Sequence, residues 1–390
     1  MEKQSKLLNW TCRILSYILV AALASGATFA LVGIRSTSKL EQLQMLIEKR
    51  FVGEADSTYL QDAAAAAMVN ATGDKWSYYI PASQYDAHME QMQNAYVGIG
   101  VTISTETAEE GFLVQQVEPG GGAAEAGIQP GDLLVEIEGQ NVAQIGLDGA
   151  SALIRGDENT QVKIAVLRDG EKLEFSVTRR TIQVVVAQGQ MVTDRIGLVS
   201  ITNFDERCAE ETLAAIEQLL EQGAQALIFD VRFNPGGYKT ELVKVLDHLL
   251  PEGPVFRSET YDGKESVSTS DAECLELPMA VLINDNSYSA AEFFAAALDE
   301  YDRAVLVGEP TTGKSYFQNT FRLIDGSAVG LSVGKYYTPN GVSLADEGGL
   351  KPEVQVDLDD ETKSKIYAGT LKPEEDPQIQ AAIAALKEGM

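Results

Sequence analysis

Histidine is nearly missing from this chain: two residues in 390, His88 and His248. A triad with imidazole as its base would have to recruit one of them. His88 lies in a polar stretch and His248 on an amphipathic one, so neither sits in the context of a catalytic base. Cysteine is scarce as well. Cys12 falls in an apolar segment, and Cys208 and Cys274 are far apart. That spacing is neither a disulfide framework nor a zinc site, so no metal and no cofactor are expected. Positive charge is short: 30 Lys and Arg face 58 Asp and Glu, a formal net charge of −28. Such an acidic exterior repels phosphate and excludes nucleic acid as a partner. Long apolar runs are absent with one exception, and no internal repeat is seen.

The exception is residues 14–34, an uncharged apolar run. At about 1.5 Å per residue it is long enough to cross a hydrocarbon layer of about 30 Å. Lys3, Lys6 and Arg13 precede it, which places the N-terminus inside and the body outside. Small residues such as Ala24, Gly26 and Ala30 keep a cleavable signal open as the rival reading. The expectation is a single-pass anchor in the cell membrane, with residues 1–13 cytoplasmic, 14–34 spanning, and the working part extracytoplasmic.

The rest divides by pattern. Residues 36–95 form an N-terminal helical region. Leu40, Leu43, Ile47 and Phe51 recur at helical spacing, and 38–69 reads as helix up to the Gly73-Asp74 break. Residues 96–180 carry short β-type runs (VGIGVTI, FLVQQV, LLVEIEG, QVKIAVLR, LEFSVTR) bounded by turn residues, with Asp169-Gly170 marking a hairpin. Residues 181–358 alternate strand and helix, the order of an α/β layered core. Residues 359–390 are a polar C-terminal helical tail with an amphipathic end at Ile379, Ala382, Ile383 and Leu386.

Three segments of the α/β region could carry chemistry. In NDNSYSAAEFFAAAL, Ser289 stands where a strand turns into a helix, and free N–H groups there stabilise negative charge. The same Ser-Ala-Ala-Glu is also a capping box with Glu292. In GEPTTGKSYFQ, residues 308–315 match the phosphate-cradling P-loop pattern. A P-loop must open a helix, yet Phe317, Phe321 and Leu323 alternate toward an Asp325-Gly326 turn, and Val329, Leu331 and Val333 return from it. That is a β-hairpin, so an NTPase is disfavoured. Lys314 is then a candidate base, if burial against Tyr316 and Phe317 lowers its pKa and Gln318 holds the amine. In VRFNPGGY, the Gly236-Gly237 turn after Pro235 could aim N–H groups into a concave site, or could simply be a tight strand-to-helix turn.

In sequence order these segments resemble the C-terminal processing peptidases, also called tail-specific serine proteases. The likeness runs from about residue 38 to 360. It is carried by GDKWSYYIP (73–81), YVGIGVTI (96–103), GGAAEAGIQPGDLLVEIEGQNV (121–142), DVRFNPGG (230–237), SYSAAE (287–292), GKSYFQ (313–318) and KYYTPNG (335–341). The stretches at 96–103 and 121–142 resemble a PDZ domain, and Ser289, Lys314 and Gln318 keep the order and spacing of the family's Ser, Lys and Gln.

What the resemblance implies is specific. The fold is α/β and multi-domain: a crotonase-like protease core, a PDZ-like β-rich module and helical N- and C-terminal segments that dimerise. Ser289 is the nucleophile, Lys314 the general base, and Gln318 orients Lys314. The N–H of Ala290 and of Gly236 or Gly237 forms the oxyanion hole. Gly98, Ile99, Gly100 and Val101 hold the free C-terminal tail of a protein or peptide substrate, and the module gates activity. Two departures stand out: Tyr288 where a small residue is common, and Thr311-Thr312 without an aromatic before Gly313. A non-catalytic PDZ adaptor is the alternative from another class.

Overall fold

The computed structural model describes residues 16, 17, 19, 20, 38–104 and 110–389. The expected anchor at 14–34 lies outside the described residues apart from 16, 17, 19 and 20, which are helical. Among the described residues no helix is long and apolar enough to cross a membrane. The chain divides into two compact units at Pro81/Ala82.

The first unit holds α1 (Lys39–Arg50), α2 (Ser57–Asn70) and β1 (Tyr78–Ile80). The single helix expected over 38–69 is two. Phe51 turns extended at the end of α1, and Asp56 starts a new helix by accepting the N–H groups of Thr58 (2.8 Å) and Tyr59 (3.1 Å). An aspartate at an N-cap satisfies donors that continued helix would otherwise occupy. Neither helix buries a residue, and Leu40, Leu43, Leu46 and Phe51 are exposed.

The second unit opens with α3 (Ala82–Met92) and a β-rich module. Its strands are β2 (Ala95–Gly98), β3 (Val101–Ser104), β4 (Phe112–Val117), β5 (Leu133–Ile137), β6 (Gln140–Asn141), β7 (Gln161–Arg168), β8 (Glu171–Thr178) and β9 (Arg180–Gln183). The sheet order is β3-β4-β5-β7-β8, with β2 paired to β9. Two helices complete the module, α4 (Gly122–Ala126) and α5 (Val142–Ile154). A core of Ile99, Phe112, Val114, Leu134, Ile137, Val162, Ile164 and Val177 fills it.

One side chain clasps the chain where it enters the module and where it leaves it. The Arg207 guanidinium donates to the carbonyls of Gln93 (3.0 Å) and Asn94 (3.1 Å) on the way in, and of Val184 (2.7 Å) on the way out. Asn94 and Asn203 exchange side-chain amide hydrogen bonds beside it at 3.1 and 2.8 Å.

The core is a six-stranded sheet of β10 (Ala187–Met191), β11 (Ile196–Ile201), β12 (Ala226–Asp230), β15 (Met279–Ile283), β16 (Ala304–Gly308) and β19 (Val354–Gln355), in that order. Only β10 runs antiparallel to its neighbour. Parallel sheets are covered on both faces, and this one is. On one face lie α6 (Cys208–Glu221), α7 (Lys239–Leu249) and α8 (Ala290–Glu300), packed on Val199, Leu227, Phe229, Val281 and Ile283. A second, antiparallel sheet of β13 (Gly253–Thr260), β14 (Glu265–Ser270), β17 (Tyr316–Arg322) and β18 (Ala328–Tyr337) stands beside it. Three more helices follow: α9 (Leu344–Glu347), α10 (Asp360–Tyr367) and α11 (Pro377–Gly389).

The amphipathic end expected of the C-terminal tail is part of this core. Ile379, Ala382, Ile383 and Leu386 of α11 pack on Ile196, Leu198, Ile228, Ala280, Leu282 and Val307, the other face of the sheet. The apolar stripe that suggested a dimer contact at this end is therefore spent within the chain.

Candidate active site

Three loops meet at the carboxyl ends of adjacent parallel strands, where open α/β sheets place their ligand sites. They follow β12, β15 and β16, which are neighbours in the sheet. The loop after β15 carries Ser289, the loop after β16 carries Lys314, and the loop after β12 carries the glycine pair.

Hydrogen bonds staple the first two of these strand ends together. Ser287 Oγ donates to the Val231 carbonyl (2.8 Å), Phe233 N–H to Asn284 Oδ1 (2.9 Å) and Tyr288 N–H to the Asn234 carbonyl (3.1 Å). Gly236 lies directly against the serine turn. A Cβ at this position would stand 2.8 Å from both Ala290 N and Ser289 Cβ, and its φ of +91° is already left-handed, so only glycine fits. Its N–H donates to Asn234 Oδ1 at 2.8 Å. Gly237 bridges to Phe204 instead.

Ser289 is buried and strained. Its φ of 58° and ψ of −125° fall where side-chain-bearing residues rarely go, at a cost of about 1–3 kcal/mol. Strain of this kind persists where surrounding contacts over-determine it, and Glu292 supplies them. This carboxylate is fully buried and accepts four hydrogen bonds. Oε2 takes the N–H of Ser289 (3.0 Å) and of Lys314 (2.8 Å); Oε1 takes the N–H of Gly313 (2.6 Å) and the hydroxyl of Thr311 (2.5 Å). Burial pushes its carboxyl above the ordinary range, against the pull of those four donors. The sequence shows Glu292 only as a capping partner. Its reach to the lysine loop, 21 and 22 residues onward, has no local signal.

Lys314 is partly buried, with its Nζ 5.7 Å from the centre of the Tyr288 ring. The departure at position 288 thus places an aromatic face beside the amine. Of the walls expected from sequence, Phe317 stacks on Tyr336 (4.6 Å) and Tyr316 faces Lys335 (5.8 Å). Gln318 follows on β17, where its side-chain amide donates to the Tyr316 carbonyl (3.1 Å) and Ser332 Oγ (2.9 Å). The P-loop pattern ends in this strand and its hairpin with β18, not in a helix.

A buried ion-pair cluster supports the glycine loop from below. Arg232 donates to Asp230 (2.6 Å), Asp376 (2.9 Å) and Gln378 (2.9 Å), tying the strand that leads into the loop to the start of α11. Nothing in the local sequence around Arg232 points to residues 376 and 378.

The candidate tail-binding residues lie elsewhere, between β2 and β3. Gly98 closes β2 opposite Arg180, and Ile99 is buried in the module core. The Ile99 and Gly100 carbonyls accept from Ala123 and Glu118, both at 2.9 Å. Val101 opens β3, an edge strand that among the described residues pairs with β4 alone.

Comparison with known proteins agrees with this layout. Residues 195–356 match peptidase family S41, and residues 113–168 match the PDZ domain. The chain is 32% identical to the carboxy-terminal processing protease CtpA of Bacillus subtilis, over 87% of this chain and 72% of that protein. It is 30% identical to the carboxyl-terminal-processing protease of Synechocystis, over 88% of this chain and 80% of the relative. A solved structure from Bacteroides fragilis assigned to the S41 proteases shares the fold. Its TM-score is 0.53 at 15% identity, covering 87% of this chain and 93% of the other. With this coverage the chain belongs to the carboxy-terminal processing proteases of family S41, serine-type peptidases that here carry a PDZ domain.

Proposed function

We propose that this chain is an endopeptidase that cuts exported proteins recognised by their C-terminal tail, with Ser289 as nucleophile and Lys314 as base. The observation that carries this is the shared carboxylate oxygen: Glu292 Oε2 fixes the backbone of both residues at one atom. Ser289 Oγ attacks the scissile carbonyl carbon while its proton passes to the neutral amine of Lys314. The resulting ammonium returns the proton to the departing amine. Water then enters and attacks the acyl carbon while losing a proton to the same lysine, which passes that proton to Ser289 Oγ as the acyl–oxygen bond breaks. The tetrahedral oxyanion rests on the N–H of Ala290, at the positive end of α8, and of Gly237, since the Gly236 N–H is engaged with Asn234. Gln318 orients Lys314 from β17.

In the same reading the substrate's tail adds a strand along β3, with its carboxylate on N–H groups around Gly98–Gly100. Tail binding gates the core through the Arg207 clasp. Residues 14–34 anchor the chain, with the protease on the extracytoplasmic side. The exposed apolar residues of α1 support pairing with a second copy.

The test uses the full chain in detergent and a protein substrate with an unstructured apolar tail. Ser289→Ala and Lys314→Ala are each expected to lower turnover by at least about 10³-fold. Normal turnover in Lys314→Ala would refute the role given to the lysine.

A further inference from the structure

Lys239 is placed where local physics disfavours a cation. It is the first residue of α7, immediately after the glycine loop and its N-cap Tyr238. The N-terminus of a helix carries partial positive charge, so an ammonium there is repelled. Burial further pushes its pKa below the ordinary lysine value. The acid of the same turn, Glu241, pairs with Lys244 at 2.6 Å, and among the described residues Lys239 forms no ion pair, so burial alone shifts it. This holds in a chain of net charge −28. Its ammonium rests instead 5.4 Å from the centre of the Phe256 ring.

That ring belongs to the wall behind the candidate site. Phe256 meets Phe293, the neighbour of Glu292, at 5.3 Å and Tyr336 at 4.6 Å. The Tyr336 N–H donates to the carbonyl of Ser315, next to Lys314, at 2.8 Å. On its other side Lys239 is two residues from Gly237 and three from Gly236, which touches Ser289. Lys239 thus follows the glycine loop in the chain, while its ammonium rests on the aromatic wall that backs the lysine loop. A cation set against local preference, with an aromatic face rather than a carboxylate beside it, is open to a counter-charge from a partner.

We propose that Lys239 is a specificity-determining residue, whose ammonium receives an acidic side chain of the substrate held near the scissile bond. This rests on the reading of Ser289 as nucleophile. A carboxylate arriving there replaces lost hydration with a paired charge in a half-dry setting, where attraction is stronger than in water. A basic side chain at the same place is repelled.

The test is a set of peptides with one apolar tail and a single Glu, Gln or Lys walked through the three residues on each side of the cut, assayed on the full chain. The wild type is expected to favour Glu over Gln by about tenfold or more in kcat/KM at one position. Lys239→Met is expected to erase that ratio while sparing the Gln peptides. Lys239→Arg should keep it, and Lys239→Glu should shift the preference to Lys. A ratio that is flat in the wild type, or that survives Lys239→Met, overturns the proposal. So does a uniform loss for all peptides in Lys239→Met, which would place Lys239 in the chemistry. Cleavage of no peptide by the wild type overturns the Ser289 reading as well, a result distinct from cleavage with a flat ratio.

Discussion

Four donors converge on Glu292, two from the lysine loop's backbone, one from Thr311 and one from the strained serine. A buried acceptor of this kind is costly to lose, because each donor left unpaired costs about 1–3 kcal/mol. Glu292→Gln keeps one carbonyl oxygen but turns an NH2 group toward N–H donors. It is expected to lower stability in urea by about 2–4 kcal/mol and to slow the reaction at Ser289 by more than the loss of folded protein explains. Unchanged activity in the folded fraction would show that the bridge does not set the geometry. At this scale the sequence was partly legible. Ser289 at a helix start, the glycine pair and the hairpin after Lys314 were all readable, because each depends on neighbours within a few residues. Tyr288, whose ring lies beside the Lys314 amine, comes from another loop and carries no local signal, and the stacking of Phe317 on Tyr336 is equally non-local. Side chains that act across loops leave no periodic trace.

Among the elements, α11 shows how a stripe can be read correctly and its partner missed. Ile379, Ala382, Ile383 and Leu386 announce an amphipathic helix, but only the packed core reveals that they cover one face of the parallel sheet. Arg232 adds a buried ionic tie from this end to the strand beneath the glycine loop. Ile383→Ala is expected to lower stability by about 2–4 kcal/mol, read by urea unfolding of the full chain. A change under about 0.5 kcal/mol would mean the helix is not docked. α5 was not legible as a helix at all. Gly146 and Gly149 depress its helix propensity, and Gly146 has non-helical angles inside it. The split of α1 from α2 was missed for a different reason: Asp56 restarts a helix inside a segment whose composition favours one throughout.

For the molecule as a whole, the order of modules was legible and their attachment was not. Turn-bounded strands at 96–180 and alternating elements from 181 separate the PDZ-containing part from the S41 core. The clasp that joins them gathers carbonyls from Gln93, Asn94 and Val184 onto one guanidinium of a residue held at a φ of 73°. Arg207 belongs to the loop of Phe204, which pairs with Gly237, so the clasp and the glycine loop are parts of one connected stretch. The central claim remains local to the core: a hydroxyl activated by an amine. It is tested most directly by reacting the full chain, with a tail peptide present, with a serine-directed covalent probe, and mapping the adduct by mass spectrometry in the wild type and in Lys314→Met. The expected result is a single adduct on Ser289 whose formation slows by about 10²-fold or more in Lys314→Met. Equal rates in the two proteins, or a wild type left unmodified at Ser289, would contradict it.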